Sequence, residues 1–188
     1  MNNYSTLFNE IEKRLDGSRM IVAVDGGSAS GKTTLAQTLA NRYNATVFHM
    51  DDFFLQSHQR TVNRLNEIGG NIDKERFLEE VLIHLKFDDV IKYHKFDCST
   101  MNLSEEIEVK LSNLIIVEGV YTLHPDLESY YDLKIFLNIN PKLQEERILK
   151  RNNSVFANRF FNEWIPLENT YFSETNIKNR CNMVIEIK

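Results

Sequence analysis

The clearest chemistry in the chain lies in Gly26-Gly27-Ser28-Ala29-Ser30-Gly31-Lys32-Thr33. The spacing is G-x-x-x-x-G-K-[ST], in which backbone amides wrap a polyphosphate at the positive end of a following helix. Gly26 and Gly31 permit backbone angles that bulkier residues resist. Lys32 is placed to reach the outer phosphates, Thr33 offers a hydroxyl to a magnesium ion bridging them, and Thr34 continues the phosphate-facing set into the helix. A glycine turn beside an unrelated lysine would account for the string but not for its flanks. Those are a strand-like Met20-Ile21-Val22-Ala23-Val24 and a helix-like run from Thr34.

Further groups can converge on such a loop. Asp51-Asp52-Phe53-Phe54 follows a second strand-like run, so a carboxylate there would face the same crevice. An alcohol attacking a γ-phosphate through a loose transition state needs orientation more than early deprotonation, a task for an aspartate of ordinary basicity. Asp51 is the favoured base, Asp52 the second choice, and a turn or capping aspartate the plainer alternative. The apolar run Leu114-Ile115-Ile116-Val117 delivers Glu118 and Gly119 to the same edge, Glu118 to hold magnesium and Gly119 to leave room for a nucleotide. Arg147 and Arg151 are helical neighbours at i, i+4. With Lys150 and Arg159 they can form a closing lid that adds positive charge to a transferring phosphate, the alternative being an ordinary solvated helix face. Phe156, Phe160, Phe161 and Trp164 can cover a base or pack a core, and the histidines show no metal-ligand spacing.

The elements that must position these groups can be read from periodicity. Residues 3 to 15 form an amphipathic helix whose expected job is packing, through Tyr4, Leu7, Phe8, Ile11 and Leu15. Further helices are expected after the phosphate loop, over Phe77 to Leu85, from Pro125 to about Tyr130, from Pro141 to about Asn152, and over Ile165 to Thr175 with Pro166 in its first turn. Strands are expected at Thr46 to Met50, Leu114 to Val117, Leu133 to Asn138 and Met183 to Ile187. Val90 to Phe96 and Ile107 to Leu111 can pair as a ribbon, while 56–72 reads as a mobile connection with room for a short helix. Strands alternating with helices predict an α/β fold, an open and mostly parallel sheet with helices on both faces and ligands beyond the carboxyl ends of the strands.

Bulk properties narrow the classes. At 188 residues, with 42% hydrophobic and 26% charged, the chain suits one domain. Residues 52–113 would be an acceptor-binding insertion and 147–163 a lid. A net charge of −5 argues against a nucleic-acid binder, and no apolar run approaches the roughly 18 residues a membrane span needs. Two cysteines, Cys98 and Cys181, make no disulfide framework, which favours a reducing cytoplasm. The chain length and composition leave a homo-oligomer open.

Taken together, Gly26 to Thr34, Asp51-Asp52-Phe53-Phe54, Val117-Glu118-Gly119 and the arginine helix resemble the uridine kinase family of P-loop kinases, with its nicotinamide riboside kinase and phosphoribulokinase relatives. The resemblance runs from about residue 20 to 188. It implies a three-layer P-loop fold around a five-stranded sheet in the order 2-3-1-4-5, ATP with magnesium, and transfer of the γ-phosphate to a small hydroxylated acceptor, a nucleoside first among them. It also points to Asp51 as the base, to Asp73 as a ligand of a ribose diol and to Phe96 against the acceptor ring. Capping of the following helix is the other reading of Asp73. Family members usually carry Tyr-Asp-Phe followed by His in the acceptor pocket, where this chain reads Lys95-Phe96-Asp97-Cys98-Ser99-Thr100-Met101. Arg159 to Glu168 looks like the same stretch of small bacterial uridine kinase-like proteins. The rival reading is a nucleotide-binding switch or ATPase acting on a macromolecular partner, although the Asn-Lys-x-Asp of guanine-specific switches is absent.

Overall fold

The computed structural model describes residues 4–188. A parallel sheet of β1 (Met20–Gly26), β2 (Thr46–His49), β7 (Leu114–Glu118), β8 (Leu133–Ile139) and β9 (Met183–Ile187) forms its centre, in the order β2-β7-β1-β8-β9. Taken as the first to fifth core strands, these stand in the expected order 2-3-1-4-5. Both β1 and β7 are buried along their whole length because apolar layers cover each face. One layer includes α1 (Ser5–Arg14) and α2 (Lys32–Tyr43), which bury Leu7, Ile11, Leu35 and Leu39 against Val22, Val24 and Leu133. The other includes α4 (Lys74–Glu80) and α7 (Ile165–Glu174), with Phe77 and Tyr171 against Ile21, Ala23 and Phe136.

Between β2 and β7 lie α3 (Val62–Leu65), α4 and two antiparallel ribbons. The expected ribbon exists as β3 (Val90–Tyr93) with β6 (Ile107–Lys110); a smaller one pairs β4 (Phe96–Asp97) with β5 (Asn102–Leu103). Around α3, Arg64 donates to Glu67, to Glu75 and to the carbonyl of Ile72, so the polar stretch 56–72 is cross-braced. The helix expected over Phe77 to Leu85 is interrupted. Val81 leaves helical geometry at φ −125°, ψ −68°, and a 3-10 turn, Leu82–His84, resumes beyond it. The helix expected from Pro125 shrinks to the 3-10 turn Glu128–Tyr130. The expected first helix begins at residue 3, outside the described residues; within them it is confirmed as α1.

After α5 (Pro141–Arg151), residues 153–163 are not a separate loop. Helix α6 (Ser154–Arg159) runs through a π turn, Phe160–Trp164, directly into α7. Pro166 accounts for the π turn, because its ring crowds the preceding turn and it lacks the amide hydrogen an α-helix would use. Helix α8 (Ile177–Arg180) then leads to β9.

Candidate active site

Parallel register sets the site. Val24 and His49 both lie opposite Glu118, so the C-terminal ends of β1, β2 and β7 meet at one edge. The chain leaves β1 as the phosphate loop and enters α2 at Gly31, whose φ of +98° is the left-handed turn that only glycine adopts freely. No side chain caps α2, so its first-turn amides face the cleft as an anion site. Lys32 is nearly buried and arches back across the loop, its Nζ donating to the carbonyls of Gly26 at 2.8 Å and Gly27 at 3.0 Å. A cleft of about 970 Å3 opens over the loop, lined by Ser28 to Thr34 and by Asp51, Glu118, Arg147 and Arg151 among others.

Thr33 and Glu118 come together as the spacing suggested, with the Thr33 hydroxyl donating to Glu118 Oε1 at 3.0 Å. Glu118 is only 5% exposed, and the same oxygen meets His49 Nδ1 at 2.6 Å, a bond that raises the imidazole pKa. These hard oxygen donors suit magnesium, which takes few protein ligands alongside phosphate oxygens. Gly119 lines the cleft, as expected of a residue that leaves room for a ligand. A Cβ there would also lie 2.6 Å from Met50 Cβ, so the missing side chain makes room for the chain after β2 as well.

That backbone is a 3-10 turn, Met50–Phe53, which separates the two aspartates. Asp52 turns to Lys95, Oδ2 to Nζ 2.9 Å, and its carbonyl accepts from Arg76. Asp51 opens onto the cleft, yet protein surrounds it on most sides. This desolvation raises its carboxyl pKa, opposed by the Lys32 charge and reinforced by that of Glu118. Of the two, Asp51 is the one presented to a ligand.

Three expected substrate residues are not among those that line this cleft. Asp73 is 4% exposed and caps α4: one oxygen accepts from the Arg76 amide at 3.1 Å and the other from Gln59 Nε2 at 2.8 Å. Its carboxylate is thus committed to the fold. Phe96 is buried edge-on against Phe54 rather than lining the cleft. Arg159, within the expected lid segment, pairs with Glu163 at 3.1 Å and covers the Trp164 ring. Arg147 and Arg151 do line the cleft, in different ways. Arg147 donates to the carbonyls of Ala29 at 3.0 Å and Ser30 at 3.4 Å, whereas Arg151 lies 5.1 Å from the Phe160 ring centre.

The sequence reading missed the groups that hold the loop from behind. Asp25 is fully buried and accepts from Gly26 N at 2.6 Å, Leu123 N at 2.9 Å and Tyr171 Oη at 2.8 Å. Burial pushes its pKa up to about 6 in spite of these bonds. Glu168, one turn before Tyr171 on α7, accepts from both the amide and the hydroxyl of Ser28, and burial raises its pKa as well. Gln144 of α5 donates to the Ser28 carbonyl at 2.9 Å. Helices α5 and α7 therefore grip the loop on both sides of the α6 and π segment between them. The one local signal for Asp25 was a charge inside an apolar strand; Glu168 and Gln144 gave none.

Comparison with known proteins agrees with this arrangement. The sequence profile of the phosphoribulokinase / uridine kinase family matches residues 21–155. A uridine kinase of Chlamydia pneumoniae is 32% identical over 142 residues, 70% of this chain and 62% of that protein, so the match spans less than two thirds of the relative. Among solved structures, a possible uridine kinase from Bacillus stearothermophilus superimposes with TM-score 0.75 at 23% identity, covering 96% of this chain and 95% of that one. A putative fructose transport system kinase from Silicibacter sp. TM1040 gives 0.74 at 22% identity, covering 97% and 98%. At such identities these structures speak for the fold alone. The phosphate loop, the Thr33–Glu118 pair and the profile match over most of the chain lead to one assignment: the protein belongs to the phosphoribulokinase / uridine kinase family.

Proposed function

We propose that the protein is an ATP-dependent kinase that transfers the γ-phosphate to a hydroxyl of a small molecule, with a nucleoside as acceptor. The observation that carries this reading is the meeting of Lys32, the Thr33–Glu118 pair and the cleft-facing Asp51 beside the phosphate loop. Similarity to uridine kinases favours the nucleoside. The two structural neighbours carry different names, so the fold itself leaves the acceptor open.

In this mechanism the acceptor hydroxyl donates its hydrogen bond to Asp51. Its oxygen bonds to the γ-phosphorus as the bond from that phosphorus to the β–γ bridging oxygen breaks, and ADP departs. The proton passes to Asp51, whose raised pKa makes it a somewhat better acceptor than a free aspartate. The loop amides and Lys32 hold charge that shifts toward the bridging oxygen, and Arg151 adds charge from the side. Magnesium, held by Thr33 and Glu118, would supply neutralisation of the phosphate oxygens. Among the described residues, no helix is long and apolar enough to cross a membrane and both cysteines are free, which supports a reducing, cytoplasmic setting.

The test is ADP release from ATP with magnesium, measured against uridine, cytidine, nicotinamide riboside, pantothenate and sugar phosphates. Turnover that depends on a nucleoside is the expected result. ADP formation indifferent to every small acceptor, and stimulated by a macromolecule, would transfer the protein to the switch or ATPase class.

A further inference from the structure

The phosphate loop is strained where it turns. Ala29 stands at φ +61°, in the left-handed region where the Cβ of an alanine crowds the backbone, two residues before the second left-handed position at Gly31. Such a conformation persists where its surroundings over-determine it. Here three side chains pin three successive backbone groups around Ala29. Glu168 accepts from the Ser28 amide at 2.9 Å, Gln144 donates to the Ser28 carbonyl at 2.9 Å, and Arg147 donates to the Ala29 carbonyl at 3.0 Å. Resting on the ATP-dependent reading above, we propose that Glu168 is a positioning residue for the nucleotide phosphates, holding Ser28 so that the loop already has its anion-binding shape when the ligand arrives.

Glu168 acts through the loop and not on the ligand. It is not among the residues that line the cleft, whereas Ser28, Ala29 and Ser30 are. It is 4% exposed, and its carboxylate receives both donors of Ser28, the amide and the hydroxyl. The Ser28 amide is thereby withdrawn from the ligand, and the first-turn amides of α2, which no side chain caps, are left to it. The fit is close. A Cβ on Gly27 would lie 3.0 Å from Gln144 Nε2 and 3.6 Å from Glu168 Oε2, so the two side chains close on bare backbone.

A leucine at position 168 would fill similar space without taking a carboxylate out of water. What the carboxylate adds is the pair of bonds to Ser28, which fixes the peptide between Gly27 and Ser28 from which the turn at Ala29 starts. Without those bonds Ala29 can relax out of the left-handed region. A ligand must then restore the loop as it binds, and affinity falls by the cost of that ordering.

The test is binding of ATP and of inorganic tripolyphosphate, each with magnesium, to the full-length wild type, Glu168→Ala, Glu168→Gln, Ser28→Ala and the double variant by calorimetry, with urea unfolding of the same proteins alongside. Glu168→Ala is expected to lose at least about tenfold in affinity, to the same degree for both ligands, because the defect lies under the phosphates. Glu168→Gln, whose oxygen can accept from the Ser28 amide while its nitrogen donates to the hydroxyl, should stay within about threefold of wild type. Ser28→Ala should lose less than Glu168→Ala, and the double variant no more than Glu168→Ala alone, since the hydroxyl then has no partner left to lose. Glu168→Ala that unfolds earlier in urea yet binds both ligands like wild type would make Glu168 a residue of the fold only and overturn the proposal. A loss for ATP alone, a loss in Glu168→Gln as deep as in Glu168→Ala, or additive losses in the double variant would also overturn it. Should Glu168→Ala fail to fold, Ser28→Ala decides: a loss of about threefold for both ligands supports the positioning role, and unchanged affinity overturns it. Wild type that binds neither ligand would defeat the kinase reading itself, and the proposal with it.

Discussion

Replacing Tyr171 by Phe keeps the ring that packs against Tyr121 and Phe172 and deletes one hydroxyl, the donor to Asp25 at 2.8 Å. Asp25 has no exposed surface, so water cannot replace that donor, and the two backbone amides and the nearby Lys32 charge must hold the carboxylate without it. A hydrogen bond to a buried charged group is worth about 1.5–3 kcal/mol, and one to a neutral partner about 0.5–1.5 kcal/mol. The cost therefore depends on whether Asp25 is ionised. Its folded pKa of about 6 lies above the unfolded 3.8, so the folded state binds the extra proton between these values. The associated stability, roughly 3 kcal/mol, is fully present below about pH 4 and lost as pH rises through 6. Removing the hydroxyl raises the folded pKa further and carries the loss to higher pH. Urea unfolding should show Tyr171→Phe destabilised by about 1.5–3 kcal/mol at pH 8 and by about half that at pH 5. Equal losses at the two pH values, or a larger one at pH 5, would refute the buried-carboxylate account.

Asp73→Ala should cost about 1–2 kcal/mol of stability, for the lost α4 cap, and leave the acceptor KM within about threefold; Asp73→Asn should recover most of it. A tenfold rise in acceptor KM with unchanged melting would restore the diol-binding role. Arg147→Ala, which frees the Ala29 and Ser30 carbonyls, should weaken ATP binding about tenfold as well as lower kcat, whereas Arg151→Ala should act mainly on kcat. Calorimetry beside steady-state kinetics separates the two.

What the sequence revealed and what it hid follow a physical division. The phosphate loop, Asp51 and Glu118 were legible because each sits at the end of an apolar strand, and a parallel sheet brings such ends to one edge. The strand order came with the family resemblance; periodicity alone gave only the alternation. Asp73, Phe96 and Arg159 were assigned to the acceptor or the lid, but their carboxylate, ring and guanidinium are taken by Gln59 and the Arg76 amide, by Phe54, and by Glu163. The i, i+4 spacing of Arg159 and Glu163 already carried that signal. The clamp by Glu168 and Tyr171 was invisible because it joins residues 140 and 146 positions apart. The break at Val81 had no local mark either, since Phe77 to Leu85 keeps helical spacing across it.

The central claim is that Asp51 orients and deprotonates the acceptor hydroxyl, and acceptor-dependent ADP formation by Asp51→Asn and Asp52→Asn tests it most directly. The geometry predicts that Asp51→Asn lowers kcat by at least about a hundredfold while ATP binding stays within about threefold, since Asp51 faces the cleft but holds no part of the phosphate loop. Asp52→Asn, which loses only the contact to Lys95, should fall less. Near wild-type turnover in Asp51→Asn, or a deeper loss in Asp52→Asn, would contradict the claim.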